Sequence, residues 1–295
     1  MAGRGTLNPR ALPDGRLCIE DGPIQLVIGI EGTPGAVRAG QAAAGARLHG
    51  LLATLCEELP ALRRPLSDAM PSFRHPVARR MAQACWPHRL EHITPMAAVA
   101  GAVAEYVLEG IVEHPGVQAA HVNNGGDIAL FLGPRASLRV GLCADLADGR
   151  PDGTALLRAQ DGVGGIATSG WPGRSFSRGI ADAVTVLAGR AADADAAATI
   201  IANAVDAEHP AILRRPANTL DPDSDLGDLA VTVEVRALPK MLILLALERG
   251  ARVAERFVAR GVITAALLRL QGESLAVGDM NVIHLPLAPG DAGLR

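Results

Sequence analysis

The amino-acid sequence predicts an α+β protein in which strands and helices follow one another in irregular order. Two hairpin signals support this: β-rich runs flank the turn Asp21-Gly22-Pro23 within Arg16–Ile30, and two segments of period two flank Asn123-Asn124-Gly125-Gly126. Helical leucine and alanine patterns lie between the strands without the steady βαβα alternation of a doubly wound sheet. No linker rich in Ser, Pro or Gly divides the 295 residues, so we expect a single domain over residues 1–295.

Caps and periodicity place the helices. Thr33-Pro34 begins one helix, because Pro suits a first turn; its leucines at 48, 51, 52, 55 and 59 form one buried stripe, and Pro60 ends it. Thr94-Pro95 begins another, which runs to about Glu113. The other predicted elements are helices over Pro76–Ala84, from Asp193 or Asp195 to about Val205 and over Pro239–Arg260, and strands over Ser137–Leu142, Gly164–Ala167, Ala183–Ala188, Val231–Val235 and Val262–Leu270.

The composition excludes some classes of partner. Hydrophobic residues make up 49% of the chain and charged residues 20%, which is typical of a globular protein. Aromatic residues make up only 2% and the formal net charge is −3, so the chain has neither a base-stacking platform nor a basic excess. We expect no nucleic-acid partner, whereas a small anionic ligand remains open where arginines converge.

The sequence also bears on location. Met1–Ile24 holds no apolar run resembling a signal peptide, and the apolar stretches farther along are broken by charge or Gly, so no membrane span is expected. The cysteines at 18, 56, 85 and 143 are far apart and form no CxxC pair, which predicts reduced and mostly buried thiols. Together these features favour a cytoplasmic location.

Asn123-Asn124-Gly125-Gly126-Asp127-Ile128 is the first of three segments that could carry chemistry. One interpretation is a tight hairpin turn, because Asn and Gly tolerate positive φ. The other is a backbone platform on which two glycines let a flat or phosphorylated ligand approach the main chain. Both interpretations stay open at this stage.

Gly164-Gly165-Ile166-Ala167-Thr168-Ser169-Gly170 is the second segment. A strand that runs into Thr-Ser-Gly places hydroxyls and free amides at its end, where a phosphate or ribityl chain could bind. The alternative is a glycine-rich loop whose Thr and Ser satisfy their own backbone. The segment does not match GxxxxGK[ST], so P-loop chemistry is excluded.

Asp193-Ala194-Asp195-Ala196-Ala197-Ala198-Thr199 is the third. Asp195 and Thr199 lie four residues apart and so share a helix face, where a carboxylate and a hydroxyl could hold Mg²⁺. The alternative is that Asp193 or Asp195 caps the helix and that Thr199 bonds to its own turn.

In this order, NxGGD, ATSG and a DAxxT helix resemble the motif series of the ApbE-like superfamily, whose characterised members are FAD:protein FMN transferases. Ala183-Val184-Thr185-Val186 resembles the strand that precedes the DAxxT helix in that family, and Ile93–Glu105 resembles its Gly-rich helix start. The resemblance covers roughly Ile93–Val205. It implies T-fold-like antiparallel sheets packed with helices.

The resemblance also implies a site. Asp195 and Thr199 would be the catalytic residues that ligate Mg²⁺, with a main-chain carbonyl near Ala181–Ala183, and Asp182 adds a third candidate ligand. FAD would be lined by Asn124, Gly125, Gly126 and Asp127 and by Thr168, Ser169 and Gly170. The implied chemistry is metal-assisted phosphoryl transfer, in which FMN moves to a Ser or Thr of an acceptor protein and AMP leaves.

Departures from the family pattern leave other functions open. The transferases carry a Lys in the Gly-rich helix start, where this chain has Gly101 or a neighbouring small residue, and their His-Ile-Ile-Asp-Pro segment is replaced by the shorter, basic Trp171–Gly179. FAD hydrolysis is one alternative. Another is a non-transferase member that binds a different anionic small molecule, since some relatives are linked to sulfur assimilation. A scaffold that acts as a homo-oligomer is the third.

The basic stretch Arg74-His75-Pro76-Val77-Ala78-Arg79-Arg80 has two interpretations. It is either a solvated helix face or a source of arginines that join Arg174 and Arg178 in holding a phosphate or carboxylate. His92 and His121 have no partner at ligand spacing, and we interpret both as structural.

Overall fold

The computed structural model describes residues 7–143, 151–279 and 283–284. Within them the chain forms a large antiparallel sheet, two small antiparallel sheets and six α-helices. The strands are β1 (Arg10–Ala11), β2 (Leu17–Asp21), β3 (Ile24–Gly32), β4 (Val117–Asn124), β5 (Asp127–Leu132), β6 (Ser137–Cys143), β7 (Pro151–Arg158), β8 (Gly165–Ser169), β9 (Ala183–Ala188), β10 (Ile212–Pro216), β11 (Ala230–Val235), β12 (Ala265–Leu270), β13 (Glu273–Gly278) and β14 (Ile283–His284). The predicted α+β class is confirmed.

The large sheet has nine strands in the order β1-β2-β3-β4-β5-β8-β9-β12-β13. Every neighbouring pair is antiparallel. Both predicted hairpins belong to it: Asp21 pairs with Ile24, and Asn124 pairs with Asp127. The small sheets are β14-β7-β6 and β10-β11.

The helices are α1 (Pro34–Leu48), α2 (Leu51–Leu62), α3 (Pro76–Cys85), α4 (Val99–Val112), α5 (Ala191–Ala204) and α6 (Lys240–Ala259). Short 3₁₀ turns cover Trp86–His88, Pro95–Ala98, Ala159–Asp161 and Ala217–Thr219. The predicted start at Thr33-Pro34 is confirmed, since the Thr33 hydroxyl accepts a hydrogen bond from the Ala36 amide at 3.3 Å. The single predicted helix is wrong, because Gly50 at φ 74° separates α1 from α2, and Pro60 lies inside α2 instead of ending it.

Two hydrophobic clusters place the large sheet between layers. The β12 residues Ala266 and Leu268 pack in the cluster that includes the helices, whereas Ala265 and Leu267 pack in a second cluster with residues of β6 and β7. The alternation follows from the period of two along a strand. All six residues of β9 are buried, because both faces of that strand are covered.

Alanine dominates the contact between α4, α5 and the sheet. The buried residues of α5 include six alanines within Ala191–Ala198, and Gly165 of β8 lies so close to Ala191 that an added Cβ would meet its Cα at 2.2 Å. Gly101 of α4 meets the same turn of α5, where a Cβ would lie 2.4 Å from the Ala191 carbonyl oxygen. These small residues let the backbones approach closely and fix where the two helices cross.

Within the described residues, Pro95–Val112 is long and apolar enough to cross a membrane by length and composition. The sequence predicts no apolar stretch long enough to span a membrane. The 3₁₀ turn at Pro95–Ala98, however, runs directly into α4, and the two together reach that length. The core helix of a soluble protein meets the same criterion, and Ala102, Val103 and Val107 are fully buried here. The helix is therefore packed as a core helix.

His88 and the cysteines include buried polar groups and thiols of the protein core. His88 is only 3% exposed and its ring lies 4.5 Å from the ring of Phe257 on α6. Neither ring nitrogen of His88 has a hydrogen-bond partner among the described residues. The cysteines described with side chains are free thiols, with Cys18 and Cys85 buried and Cys56 exposed, whereas the side chain of Cys143 lies outside the description.

Candidate functional site

Hydrogen bonds join four motif segments, namely the three that could carry chemistry and the Gly-rich helix start within Ile93–Glu105, at one place in the fold. The Asn124 side-chain amide at the end of β4 donates to the Ala100 carbonyl of α4 at 3.2 Å. The Gly101 amide donates to the Asp195 carboxylate of α5 at 3.0 Å, and the Thr168 amide of β8 donates to Asp127 of β5 at 3.3 Å. Segments separated by up to 94 positions in the chain therefore share one network.

The turn between β4 and β5 needs its glycines. Gly125 has φ 68° and Gly126 has φ 116°, a region that side chains with a Cβ rarely adopt. The Gly126 amide donates to the Asn123 side-chain oxygen at 2.8 Å, which closes the turn. The exposed guanidinium of Arg174 lies over it, 3.0 Å from the position that a Cβ of Gly125 would occupy. A cation therefore faces this glycine platform from the neighbouring loop.

Asp127 and Asp195 form a pair of neighbouring, half-buried carboxylates. Burial raises the pKa of Asp127 to about 7, and the hydrogen bond from Thr168 opposes that rise only in part. Burial and then the charge of Asp127 raise the pKa of Asp195 well above its ordinary range, against the hydrogen bonds from the Gly101 and Ala100 backbone. Perturbed carboxyl pairs of this kind are typical of functional sites.

The segment Thr168-Ser169-Gly170, at the end of β8, lies beside Asp127. The Thr168 hydroxyl pairs with the Thr185 hydroxyl of β9 at 3.0 Å, so it is already engaged. The Ser169 hydroxyl makes no hydrogen bond to any of the described residues. Gly170 lies against the backbone of Asp182, whose carbonyl oxygen would be 2.4 Å from an added Cβ.

The start of α5 decides between the two interpretations of the DADAAAT segment. Arg190 occupies the cap position without a side-chain cap bond, and Asp193 and Asp195 lie inside the helix. The carboxylate of Glu105 on α4 caps it instead, accepting from the Ala192 amide at 2.9 Å. The capping interpretation of Asp193 and Asp195 is therefore wrong, and the Asp195 side chain is left for the site.

Comparisons with known proteins place the chain in a family. The family model described as AbpE bacteria matches residues 9–280. The chain belongs to this family. The resemblance to the ApbE-like superfamily read from the motifs is thereby confirmed.

The chain is also similar to curated archaeal proteins. A UPF0280 protein of Methanothrix thermoacetophila is 37% identical over 156 residues, which is 53% of this chain and 62% of the relative. A UPF0280 protein of Methanopyrus kandleri is 41% identical over 160 residues, covering 53% of this chain and 61% of the relative. The chain thus spans about three fifths of the length of the curated relatives that it matches.

The fold has also been solved before. An ApbE protein of Thermotoga maritima shares it with a TM-score of 0.53 at 12% identity, over 93% of this chain and 97% of the other. At that identity the likeness concerns the fold alone.

The predicted ligand Asp182 is placed differently from Asp195. Its carboxylate accepts from the Trp171 indole at 3.4 Å and from the backbone amide of Gln271, just after β12. The carboxylate that the structure brings to Asp195 is Asp127. The main-chain carbonyl of Asp182 lies beside Gly170, in the loop of the site.

Thr199 lies one turn along α5 from Asp195 and is half-buried, and its hydroxyl makes no hydrogen bond to any described residue. In the part of the chain that the structure describes, no three His, Cys, Asp or Glu side chains are grouped to hold a metal ion. The oxygen donors at the site therefore come from a carboxylate pair, a hydroxyl and backbone carbonyls.

The arginines of the 74–80 stretch do not join the site. Arg80 pairs with Glu105 at 3.1 Å, and its side chain is only 14% exposed, so it is not on a solvated face. Arg79 donates to the backbone carbonyl of Phe73, and Arg74 pairs with Glu57 at 3.3 Å. Arg174 alone among the proposed arginines borders the Gly125-Gly126 turn.

Proposed function

We propose that this AbpE-family protein binds a flavin dinucleotide where the four motif segments meet. It either transfers FMN from FAD to a Ser or Thr of an acceptor protein or hydrolyses FAD to FMN and AMP. The observation that carries the proposal is the joining of Asp127 and Asp195 to the amides of Thr168 and Gly101. Family membership and the resemblance of the motifs to those of FAD:protein FMN transferases support it.

The donor set fits a magnesium ion. Mg²⁺ prefers oxygen ligands and commonly uses one or two carboxylates together with substrate phosphates. Asp195 and Thr199 would hold it, with Asp127 as the adjacent carboxylate and Asp182 as a further source of oxygen. When bound, the ion would offset the negative charge of the pyrophosphate.

The residues of the chain have separate tasks in this proposal. The Gly125-Gly126 turn lets the ligand approach the backbone, and the guanidinium of Arg174 supplies a positive charge beside it. Asp127, whose pKa is raised to about 7, accepts the proton of the attacking hydroxyl. That hydroxyl belongs to the acceptor protein in transfer and to water in hydrolysis, so the two reactions need the same base.

A second candidate function keeps the fold and gives the site another small anion, in an accessory role in sulfur assimilation. The packing of Gly101 favours it, because a Cβ there would lie 2.4 Å from the Ala191 carbonyl oxygen. The Lys that the transferases carry in this helix start therefore has no room at position 101. A cytoplasmic location belongs to both proposals.

Calorimetric titration of FAD, with magnesium and with chelator, tests the flavin proposal. We expect magnesium to tighten FAD binding by roughly 5- to 150-fold, the range of typical coupling energies. Asp195→Asn should remove most of that coupling, since the amide keeps the shape of the side chain and loses its charge.

Asp193→Asn is the matched control. It makes the same chemical change two residues earlier on α5, at a carboxylate outside the network, and should leave the coupling intact. Equal FAD affinity with magnesium and with chelator would contradict the flavin proposal and leave the second candidate. The absorption spectrum of the protein mixed with FAD gives an independent record of binding.

A further inference from the structure

A cavity of about 370 Å³ lies at the far end of α5 from the carboxylate pair. Among its lining residues are His92, Arg178, Asn203 and Arg214, which come from four separate parts of the chain. Asn203 follows Asp195 by eight residues, which corresponds to about 12 Å along a helix axis. The cavity therefore does not depend on the proposed flavin site.

The charges around this cavity leave one cation unpaired. Arg214 forms an ion pair with Asp206, so the two lining charges neutralise each other. Arg178 is half-buried and has no carboxylate partner among the described residues. Glu91, the remaining charged residue of the lining, is exposed at the surface. Among the lining residues, one guanidinium is therefore left without a carboxylate partner.

The backbone of Arg178 is held in place. Its amide donates to the Asn203 side-chain oxygen at 2.9 Å, and its carbonyl accepts from the Thr232 hydroxyl at 3.4 Å. The Asn203 oxygen also accepts from Ser177 at 3.3 Å. These bonds fix the main chain from which the Arg178 side chain reaches the cavity.

His92 supplies a second unsatisfied group. Its Nε2 atom is buried and has no hydrogen-bond partner among the described residues. Burial and the nearby charge of Arg178 lower the pKa of His92, while Asp225 opposes them. A buried ring nitrogen without a partner is unfavourable unless something binds it. Interpreting His92 as purely structural does not account for this nitrogen.

We propose that this cavity binds a small organic carboxylate, whose oxygens accept hydrogen bonds from the Arg178 guanidinium and from Nε2 of His92. A monoanion matches the single unpaired cation, whereas a phosphate dianion would meet the same cation with Asp206 and Glu91 close by. The planar guanidinium suits the two oxygens of a carboxylate. Ile200, Ala204 and Val253 supply apolar lining for a short carbon chain.

The test uses the full chain without FAD or magnesium and follows the imidazole signals of His92 by NMR. Butyrate is the probe, and butyramide is its neutral counterpart. Butyrate should shift the His92 signals in a saturable way and raise the pKa of His92, because a bound anion favours the imidazolium against Arg178. Butyramide should do neither.

Arg178→Gln should weaken butyrate binding by at least about tenfold, as expected when a charge-assisted hydrogen bond is lost. Arg215→Gln is the matched control, since Arg215 follows Arg214 on β10 and is exposed, and it should bind as the wild type does. Arg178→Lys keeps the charge and should retain part of the affinity even if the Gln variant folds poorly. Asp195→Asn should have no effect, which separates this site from the flavin proposal.

Three results would overturn the proposal. One is an equal response of His92 to butyrate and butyramide. Another is unchanged butyrate affinity in Arg178→Gln. The third is tighter binding of inorganic phosphate than of butyrate, which would contradict the carboxylate class.

Discussion

Replacing His88 with leucine should stabilise the protein and remove much of its loss of stability in mild acid. The imidazole is 3% exposed and neither nitrogen has a partner among the described residues. Burial, and then the charge of Arg260, lower the pKa of His88 from 6.5 to about 4. The folded state therefore resists protonation that the unfolded chain accepts freely.

The sign and size of the effect follow from this difference. Below pH 6.5 the unfolded chain binds a proton at this position that the folded state excludes, so the stability of the protein is undiminished by this group above pH 6.5 and falls as the pH drops towards 4. Each pH unit in that window removes about 1.4 kcal/mol, so the step from pH 7 to pH 5 removes about 2 kcal/mol. His88→Leu should abolish this loss. It should also add about 1 kcal/mol at pH 7, because the penalty of two unpartnered nitrogens exceeds the lost contact with Phe257.

Urea denaturation at pH 7 and pH 5 measures both quantities. His49 is exposed and follows α1, so His49→Leu is the control for adding a leucine and removing a histidine, and it should keep the wild-type difference between the two pH values. If His88→Leu loses as much stability between pH 7 and pH 5 as the wild type does, His88 is not buried without partners and the reasoning is refuted.

Two further substitutions test the helix packing and the carboxylate pair. Gly101→Ala should destabilise the protein by at least about 2 kcal/mol, because its methyl group would overlap the Ala191 carbonyl. Gly45→Ala on α1 is the control: an added Cβ there meets nothing within 4 Å, so the substitution should stabilise the protein by about 0.5–1 kcal/mol. Thermal unfolding compares the two, and a similar effect of both would contradict the close crossing of α4 and α5. Asp127→Asn should raise the free energy of unfolding, measured in chelator at pH 8, by about 1–3 kcal/mol after allowance for partial exposure. The reason is that the pKa of Asp127, raised to about 7, makes the ionised carboxylate unfavourable in the folded state. The gain should vanish as the pH falls towards 4, where the wild-type carboxyl is protonated; a gain that does not change with pH would show that charge is not its cause.

The local sequence predicts an element correctly where the packing of the fold agrees with the intrinsic preference of its residues. Ala183–Ala188 is predicted with its observed bounds, because a short β-rich run bounded by charge and Gly is buried on both faces. The break at Gly50 was missed, since the leucine stripe continues through it with helical spacing. The strands β7, β10 and β13 were not predicted, although each pairs with a strand that is its neighbour along the chain. For β13 the missed signal is local, since it pairs with β12 across the turn Gln271-Gly272, in which both residues have positive φ.

The candidate site was likewise only partly predictable from the sequence. Motif order indicated which segments contribute, and the structure brings the predicted Asn124, Asp127, Thr168 and Asp195 into one network. The pairing of Asp127 with Asp195 and the bond from the Gln271 amide to Asp182 could not be predicted, because both depend on how distant segments are placed. The cap of α5 is likewise supplied by Glu105, 87 positions earlier in the chain, which no local pattern indicates.

The alanine-rich surface of α5 has a consequence for how freely the site moves. Alanine has no rotamers to lose, whereas each buried Leu or Ile gives up about 0.5–1 kcal/mol of side-chain entropy on folding. A helix that packs through methyl groups and glycine contacts also has few alternative side-chain arrangements into which its neighbours could relax. The position of Asp195 is consequently set by the path of two backbones. A ligand that meets this carboxylate encounters a group already ordered before it arrives, and the entropy of ordering was lost when the chain folded.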